Sequence, residues 1–151
     1  MNTRNENTPV TFDLMIHDID LILDIMQSEI TTITAEKKYN QSKQKVSCKM
    51  DFKNNKTAHL IVERGKNTPN KRKMTITCIN QIVEIDLLKR IGKNIQKGHI
   101  NIWDGKQNIN PLREELLDFK KSIKNRTKPK ISVKASCNAV EVALKIEELI
   151  N

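Results

Sequence analysis

Asp13, His17, Asp20 and Asp24 recur at offsets of four, three and four within FDLMIHDIDLILDIM, Phe12 to Met26, a stretch rich in Ile, Leu and Met. Those offsets follow the turn of an α-helix, so the four polar groups share one stripe of an otherwise apolar rod. His17 is the member able to exchange a proton near neutrality, since an unperturbed imidazole titrates at about 6.5. Asp13, one turn earlier, can orient that ring or contact a substrate hydroxyl. Two readings stay open at this level: a stripe that faces water, and a stripe that lines a cleft where a proton is moved. The remaining reactive side chains offer less. His59 falls in a strand pattern, pointing outward with Thr57 and Ile61, and His99 in a loop; neither has a companion at metal-ligand spacing. Trp103 fits core packing best, with packing on a sheet edge or lining a substrate cleft as the alternatives. Cys48, Cys78 and Cys137 are odd in number and far apart, which points to a reduced, cytoplasmic compartment, with Cys48 and Cys78 on the apolar phase of strands.

The elements that must position this stripe can be read from the patterning. The chain of 151 residues is most simply one domain, long enough to bury a core. A first helix is predicted over about Thr11 to Gln27, with Phe12, Ile16, Ile19, Leu23 and Met26 as its buried stripe. The period then changes to two. In KVSCKMDFK, Val46, Cys48, Met50 and Phe52 alternate with polar residues, the mark of a strand with one face on a core and one in water. EITTITAEKKY, TAHLIVERG, KMTITCI and QIVEIDLL give further strands, with turn signals at Asn54-Asn55 and Asn80-Gln81, and HINIW a possible sixth. KNTPNKR between them reads as a loop. Asn110 and Pro111 open a helix whose buried face is Leu112, Leu116, Phe119 and Ile123. After an extended KPKISV, a last helix runs from Asn138 to Ile150, with capping-box spacing between Asn138 and Glu141 and a core stripe of Ala139, Val142, Ile146 and Leu149. The fold class is α+β: a mostly antiparallel open sheet of five to six strands with helices packed on one face.

Composition excludes some partners. No run approaches the roughly 18 apolar residues of a membrane span, and MNTRNENTPV has no apolar core of a signal peptide. The net charge of +9 raises nucleic-acid binding, but the lysines are scattered along the chain and the few aromatic residues do not cluster. Lys, Ile and Asn are inflated together, as an A/T-rich genome would do. The expectation is no nucleic acid and no membrane.

Two of these stretches carry a resemblance. FDLMIHDIDLILDIM resembles the Asp-x-x-x-His segment of glucose–fructose oxidoreductase, inositol dehydrogenase and MocA-like proteins, the Gfo/Idh/MocA family. NPLREELLDFKKSIKNRTKPKISVKASCNAVEVALKIEELI resembles that family's closing pattern: Asn-Pro-Leu, a Glu-containing amphipathic helix, a Pro-bearing linker and a last helix. Between them lies a strand meander of about the expected length, so the resemblance spans nearly the whole chain. It implies a flexible N-terminus over residues 1–10 and a C-terminal substrate and oligomerisation domain over 11–151. His17 would be the catalytic base, and Asp13 a catalytic or substrate-binding partner.

The chain also departs from the family. Asn7, Thr8 and Pro9 stand where glycines usually precede the Asp-x-x-x-His segment, and Glu-Lys-Pro is missing. Gly65, Gly92, Gly98 and Gly105, the four glycines, lack the Gly-x-Gly-x-x-Gly spacing of a dinucleotide-binding turn. The resemblance therefore implies the substrate half of an NAD- or NADP-dependent oxidoreductase of a sugar or nucleotide sugar. No cofactor site is expected in this chain, and no activity from it alone. Its implied origin is a split or decaying gene, or a subunit pairing with a separately encoded Rossmann-domain chain. A homo-oligomer through the sheet face opposite the helices is the second expectation, as a non-catalytic interaction module. A basic nucleic-acid-binding domain is the third.

Overall fold

The computed structural model describes residues 8–40, 43–65, 69–105, 109–129 and 131–151. A π-helical turn, Thr11–Met15, runs into α1, Ile16–Met26. Seven strands follow: β1 Ile30–Asn40, β2 Lys43–Phe52, β3 Thr57–Gly65, β4 Lys71–Cys78, β5 Gln81–Asp86, β6 Ile91–Gln96 and β7 His99–Asp104. Two helices close the chain, α2 Pro111–Asn125 and α3 Val133–Ile150. Each strand pairs antiparallel with the next, so the sheet is a single meander in chain order. Of the expected loose N-terminus, residues 1–7 lie outside the described residues, as do 66–68 of the KNTPNKR loop; Val10 is wholly buried.

The alternation in the sequence sorts the two sheet faces. One helix-side row runs Ala35, Cys48, Leu60, Met74, Ile85, Gly92, Trp103, and its neighbour runs Ile33, Met50, Ala58, Ile76, Val83, Asn94, Asn101. Over β2 to β4 these side chains are buried against Met15, Ile19, Ile22 and Met26 at the chain start and Ala139, Ala143 and Ile146 of α3. On the opposite, helix-free face a row runs Thr34, Lys49, His59, Thr75, Glu84, Lys93, Ile102.

The α+β class and the antiparallel open sheet stand as expected, but the sheet has seven strands rather than five to six. The strand that was not anticipated is β6, IGKNIQ, where Gly, Lys and Asn break the alternation; it forms because β5 and β7 pair with it on both sides. His99 accordingly begins a strand rather than lying in a loop. Trp103 is not a core residue: it is 43% exposed and lies over Gly92, where an added Cβ would meet its ring at 2.3 Å. The last helix starts at Val133, not Asn138, because the Ser132 side chain accepts from the Ala135 N–H and caps it earlier. Leu149 is exposed, and Ala143 takes its place in the core. The largest departure is α2. Its start is capped as predicted, Asn110 Oδ1 accepting from Arg113 N at 3.2 Å, yet Leu112, Leu116, Phe119 and Ile123 are exposed. Amphipathicity fixes which face must be covered, not that the same chain covers it.

Candidate functional site

The π-helical turn places Asp13. Pro9 O accepts from both Phe12 N and Asp13 N, and Ile16 N reaches back five residues to Thr11 O, so the first turn is wider than an α turn. The Asp13 carboxylate is held by Arg64 of β3, Nη1 to Oδ2 at 3.1 Å. The same guanidinium donates to Thr8 O at 2.7 Å and to Gln44 Oε1 at 3.0 Å. Arg64 thus ties the chain start to β2 and β3, and Asp13 is an anchored anion rather than a free base. His17, in the first turn of α1, is exposed to solvent. Asp20 is half-buried and Asp24 exposed. The stripe read from the sequence is therefore wet at His17 and Asp24 and engaged with the sheet at Asp13.

A second carboxylate of the same segment is buried more deeply. Asp18 is 0% exposed and receives the Arg72 fork from β4: Nε lies 3.1 Å from Oδ1 and 3.3 Å from Oδ2, and Nη2 closes on Oδ1. Burial pushes the Asp18 carboxyl up from its ordinary value, against the pull of the Arg72 hydrogen bonds and of the Arg72 and His17 charges. Two arginines on neighbouring strands thus clamp the start of the first helix, with the exposed His17 between the two clamped carboxylates.

Arg64, Arg72 and the burial of Asp18 were not anticipated. The signal was present. Both arginines continue the core-facing phase of their strands, Ala58, Leu60, Val62, Arg64 and Arg72, Met74, Ile76. In a chain with many more lysines than arginines, a guanidinium in an apolar phase marks a built, bidentate contact.

Two surface concavities lie elsewhere. A depression of about 240 Å³ on the helix-free face is lined by Thr34, Glu36, Ser47, Lys49 and His59. There Ser47 Oγ and His59 Nε2 are 2.8 Å apart. A groove of about 370 Å³ runs between β1 and α3, past Ile30, Ile33, Val142 and Leu149. Neither includes Asp13 or His17. Among the described residues no group of three His, Cys, Asp or Glu side chains can hold a metal, and no helix is long and apolar enough to cross a membrane.

A nicotinamide dinucleotide does not fit the residues present. Its pyrophosphate needs a glycine turn between a strand and a helix N-terminus. Here Gly65 and Gly92 lie in strands, Gly98 in the β6–β7 hairpin with φ +80°, and Gly105 directly after β7. The two capped helix starts carry Asn110-Pro111 and Ser132 instead.

The helix-backed meander is shared with about half of several solved dehydrogenases of the Gfo/Idh/MocA type, so the resemblance read from the sequence holds at the level of fold. Among solved structures, UDP-N-acetylglucosamine 3-dehydrogenase GnnA from Acidithiobacillus ferrooxidans is similar at a TM-score of 0.80 and 22% identity, over 98% of this chain and 49% of that one. Biliverdin reductase from Synechocystis sp. PCC 6803, in complex with biliverdin and NADP+, gives 0.73 and 15%, over 90% and 45%. The dehydrogenase MviM from Clostridium difficile gives 0.65 and 19%, over 93% and 48%. The chain spans about half the length of the solved structures it matches, and at these identities the likeness is one of fold. No family model and no curated protein matches the sequence.

Proposed function

We propose that these residues form the substrate-side half of an NAD(P)-dependent oxidoreductase acting on a secondary alcohol of a sugar or nucleotide sugar. In this reading they do not turn over without a dinucleotide-binding domain. The observation that supports it is a fold shared along 98% of the chain with a UDP-N-acetylglucosamine 3-dehydrogenase, together with an exposed imidazole at the start of the Asp-x-x-x-His helix. The share of the reaction that falls to this chain is the proton. When an alcohol carbon is oxidised, its hydroxyl proton must pass to a base; an imidazole is the side chain suited to that near neutrality, and His17 is exposed. Asp13, fixed by Arg64, presents a carboxylate of set orientation to a neighbouring hydroxyl. The clamps on Asp13 and Asp18 hold the helix so that His17 returns to one place. The cleft itself is completed by the second domain, which accounts for the absence of Asp13 and His17 from the two concavities.

Three histidines give the test an internal control. With ring-labelled histidine, NMR titration of UDP-N-acetylglucosamine is expected to move the His17 resonances and leave His59 and His99 in place. Movement of His59 or His99 alone, or of none at millimolar ligand, contradicts the assignment.

A second reading concerns assembly. On the helix-free face of β5 to β7, Ile82, Ile91, Ile95, Ile100 and Ile102 share one side of the sheet, and four of them are exposed. This apolar patch, flanked by the Glu84–Lys93 ion pair at 2.9 Å, favours a homo-oligomer packed sheet to sheet. Sedimentation of the purified chain tests it: dimer is expected, reverting to monomer in Ile102→Lys, and a monomeric wild-type chain counts against it. No observation favours the nucleic-acid reading.

A further inference from the structure

The helices leave part of their own side of the sheet open. The first helix is tied to β3 and β4 by Arg64 and Arg72, and α3 packs on α1 and on β1. Among the described residues, the buried apolar side chains of the sheet accordingly end at β4, and Val83 and Ile85 of β5 only flank them. On β6 and β7 the same face has a composition of its own. Gly92, Asn94 and Gln96 pair with Trp103, Asn101 and His99. None of these six carries a fixed charge, in a chain where 30% of residues do. Bare Gly92 lets the Trp103 ring lie over β6: an added Cβ would meet three of its ring atoms at 2.3, 2.5 and 2.9 Å. The Trp103 and Asn101 side chains are exposed to solvent. Between them and β5, Asn94 Oδ1 is shielded from water and accepts from no donor among the described residues. Folded chains seldom leave such a hydrogen bond unmade.

An exposed π-face with carboxamides beside it and no charge suits a flat, neutral ring with donors and acceptors on its edge. Sugar rings and nucleobases both meet that description, and position separates them. Trp103 lies three strands and one row of side chains from Arg72, about 15 Å at ordinary strand spacing. Arg72 fixes Asp18, the chain neighbour of His17. A single sugar ring with its hydroxyl at His17 is too short to reach this shelf, whereas the far end of a nucleotide sugar is not. Leu21 and Ile25, one and two turns beyond Asp18 on the same side of α1, are exposed, so that flank of the helix is open to solvent. We propose that the shelf of Trp103, Asn94 and Asn101 takes the nucleobase of a nucleotide-linked substrate, its ring stacked on the indole and its edge bonded by the amides. The proposal rests on the functional reading above and narrows it from a sugar or nucleotide sugar to a nucleotide sugar, with the recognition of the base lodged on β6 and β7.

Trp103 is the single tryptophan of the chain, so its fluorescence reports on the shelf alone. Titration with uridine diphosphate, and with uridine, is expected to quench it saturably, and N-acetylglucosamine to leave it unchanged. In Asn101→Leu, which keeps the reporter, the dissociation constant for uridine diphosphate is expected to rise about fivefold, the worth of one hydrogen bond. By calorimetry, Trp103→Ala is expected to weaken uridine diphosphate about tenfold or more, as loss of a stacked base does, and Trp103→Phe to weaken it less. Both side chains are exposed, so an unchanged circular dichroism spectrum confirms that the variants fold. Quenching by N-acetylglucosamine instead of uridine, quenching by neither, or binding indifferent to Trp103→Ala and Asn101→Leu overturns the proposal. If UDP-N-acetylglucosamine quenches Trp103 while the His17 resonances stay in place, the proton assignment falls and the base shelf stands. If His17 responds and Trp103 is silent, the shelf alone falls.

Discussion

Replacing Arg72 by Met keeps the aliphatic stem that packs beside α1 and removes the charge that faces Asp18. Asp18 is 0% exposed and the Arg72 side chain 22% exposed, so the carboxylate left behind has no water to compensate it. Removing one partner of such a pair costs about 3–5 kcal/mol. That is a large part of the roughly 5–15 kcal/mol that holds a domain of this size folded. The loss depends on pH in a direction fixed by the geometry. With the Arg72 pull gone, burial is opposed only by the His17 charge, so the folded-state pKa of Asp18 rises further above the unfolded value of about 3.9. A carboxyl with a raised folded pKa is stabilised below the unfolded pKa. As pH rises from there to the folded pKa, that stability is lost at about 1.4 kcal/mol per unit. Arg72→Met is therefore expected to lose less stability at pH 5 than at pH 7.5. Asp18→Asn/Arg72→Met, which leaves no buried charge, is expected to be more stable at pH 7.5 than Arg72→Met alone. Urea unfolding of the wild type, both single variants and the double variant, at the two pH values, gives the coupling directly. Additive single effects, or an Arg72→Met loss below about 1 kcal/mol, would refute the view that this pair fixes the helix.

Three smaller tests follow from other contacts. Gly92→Ala would place a Cβ 2.3 Å from the Trp103 ring, so thermal unfolding is expected to show a loss of about 1–3 kcal/mol, largely recovered in Gly92→Ala/Trp103→Ala. Burial pushes the Cys48 thiol up to about 12, so at pH 8 a thiol reagent is expected to label exposed Cys137 first and half-buried Cys78 more slowly. Cys48 should react only as the chain unfolds; labelling of Cys48 alongside Cys137 contradicts its burial. Glu63 lies between Lys43 at 3.0 Å and Lys71 at 3.5 Å, and the Lys43 hydrogen bond holds its carboxyl below the ordinary value. Its contribution is present above an unfolded pKa of about 4.3 and lost as pH falls through the folded value. An acid titration of Glu63→Gln should therefore fall less steeply than wild type below pH about 4, by no more than about 1 kcal/mol.

What was legible in the sequence is what alternation and capping encode locally. Val46, Cys48, Met50 and Phe52 gave β2 its buried face because one side of the sheet meets α1 and α3 and the other meets water. Asn110 and Pro111 marked the start of α2 because caps act within one turn. β6 was not legible, since Gly92, Lys93 and Asn94 have no strand pattern of their own and are ordered by their neighbours. The candidate site was half legible. The Asp13–His17 spacing stood out, but periodicity cannot tell an anchored carboxylate from a solvated one, and only the register of β3 and β4 brings Arg64 to Asp13 and Arg72 to Asp18. The exposure of the α2 stripe was illegible for a different reason: a hydrophobic face records that it is to be covered, while what covers it need not be within these residues.

The central claim is that this chain holds the sugar side of the reaction and not the dinucleotide. Calorimetric titration of the chain with UDP-N-acetylglucosamine and, separately, with NADPH and NADH tests it most directly. A saturable heat with the nucleotide sugar, weakened in His17→Ala, and none with either dinucleotide is the expected result. Tight binding of a dinucleotide, or a nucleotide-sugar heat indifferent to His17, would contradict it.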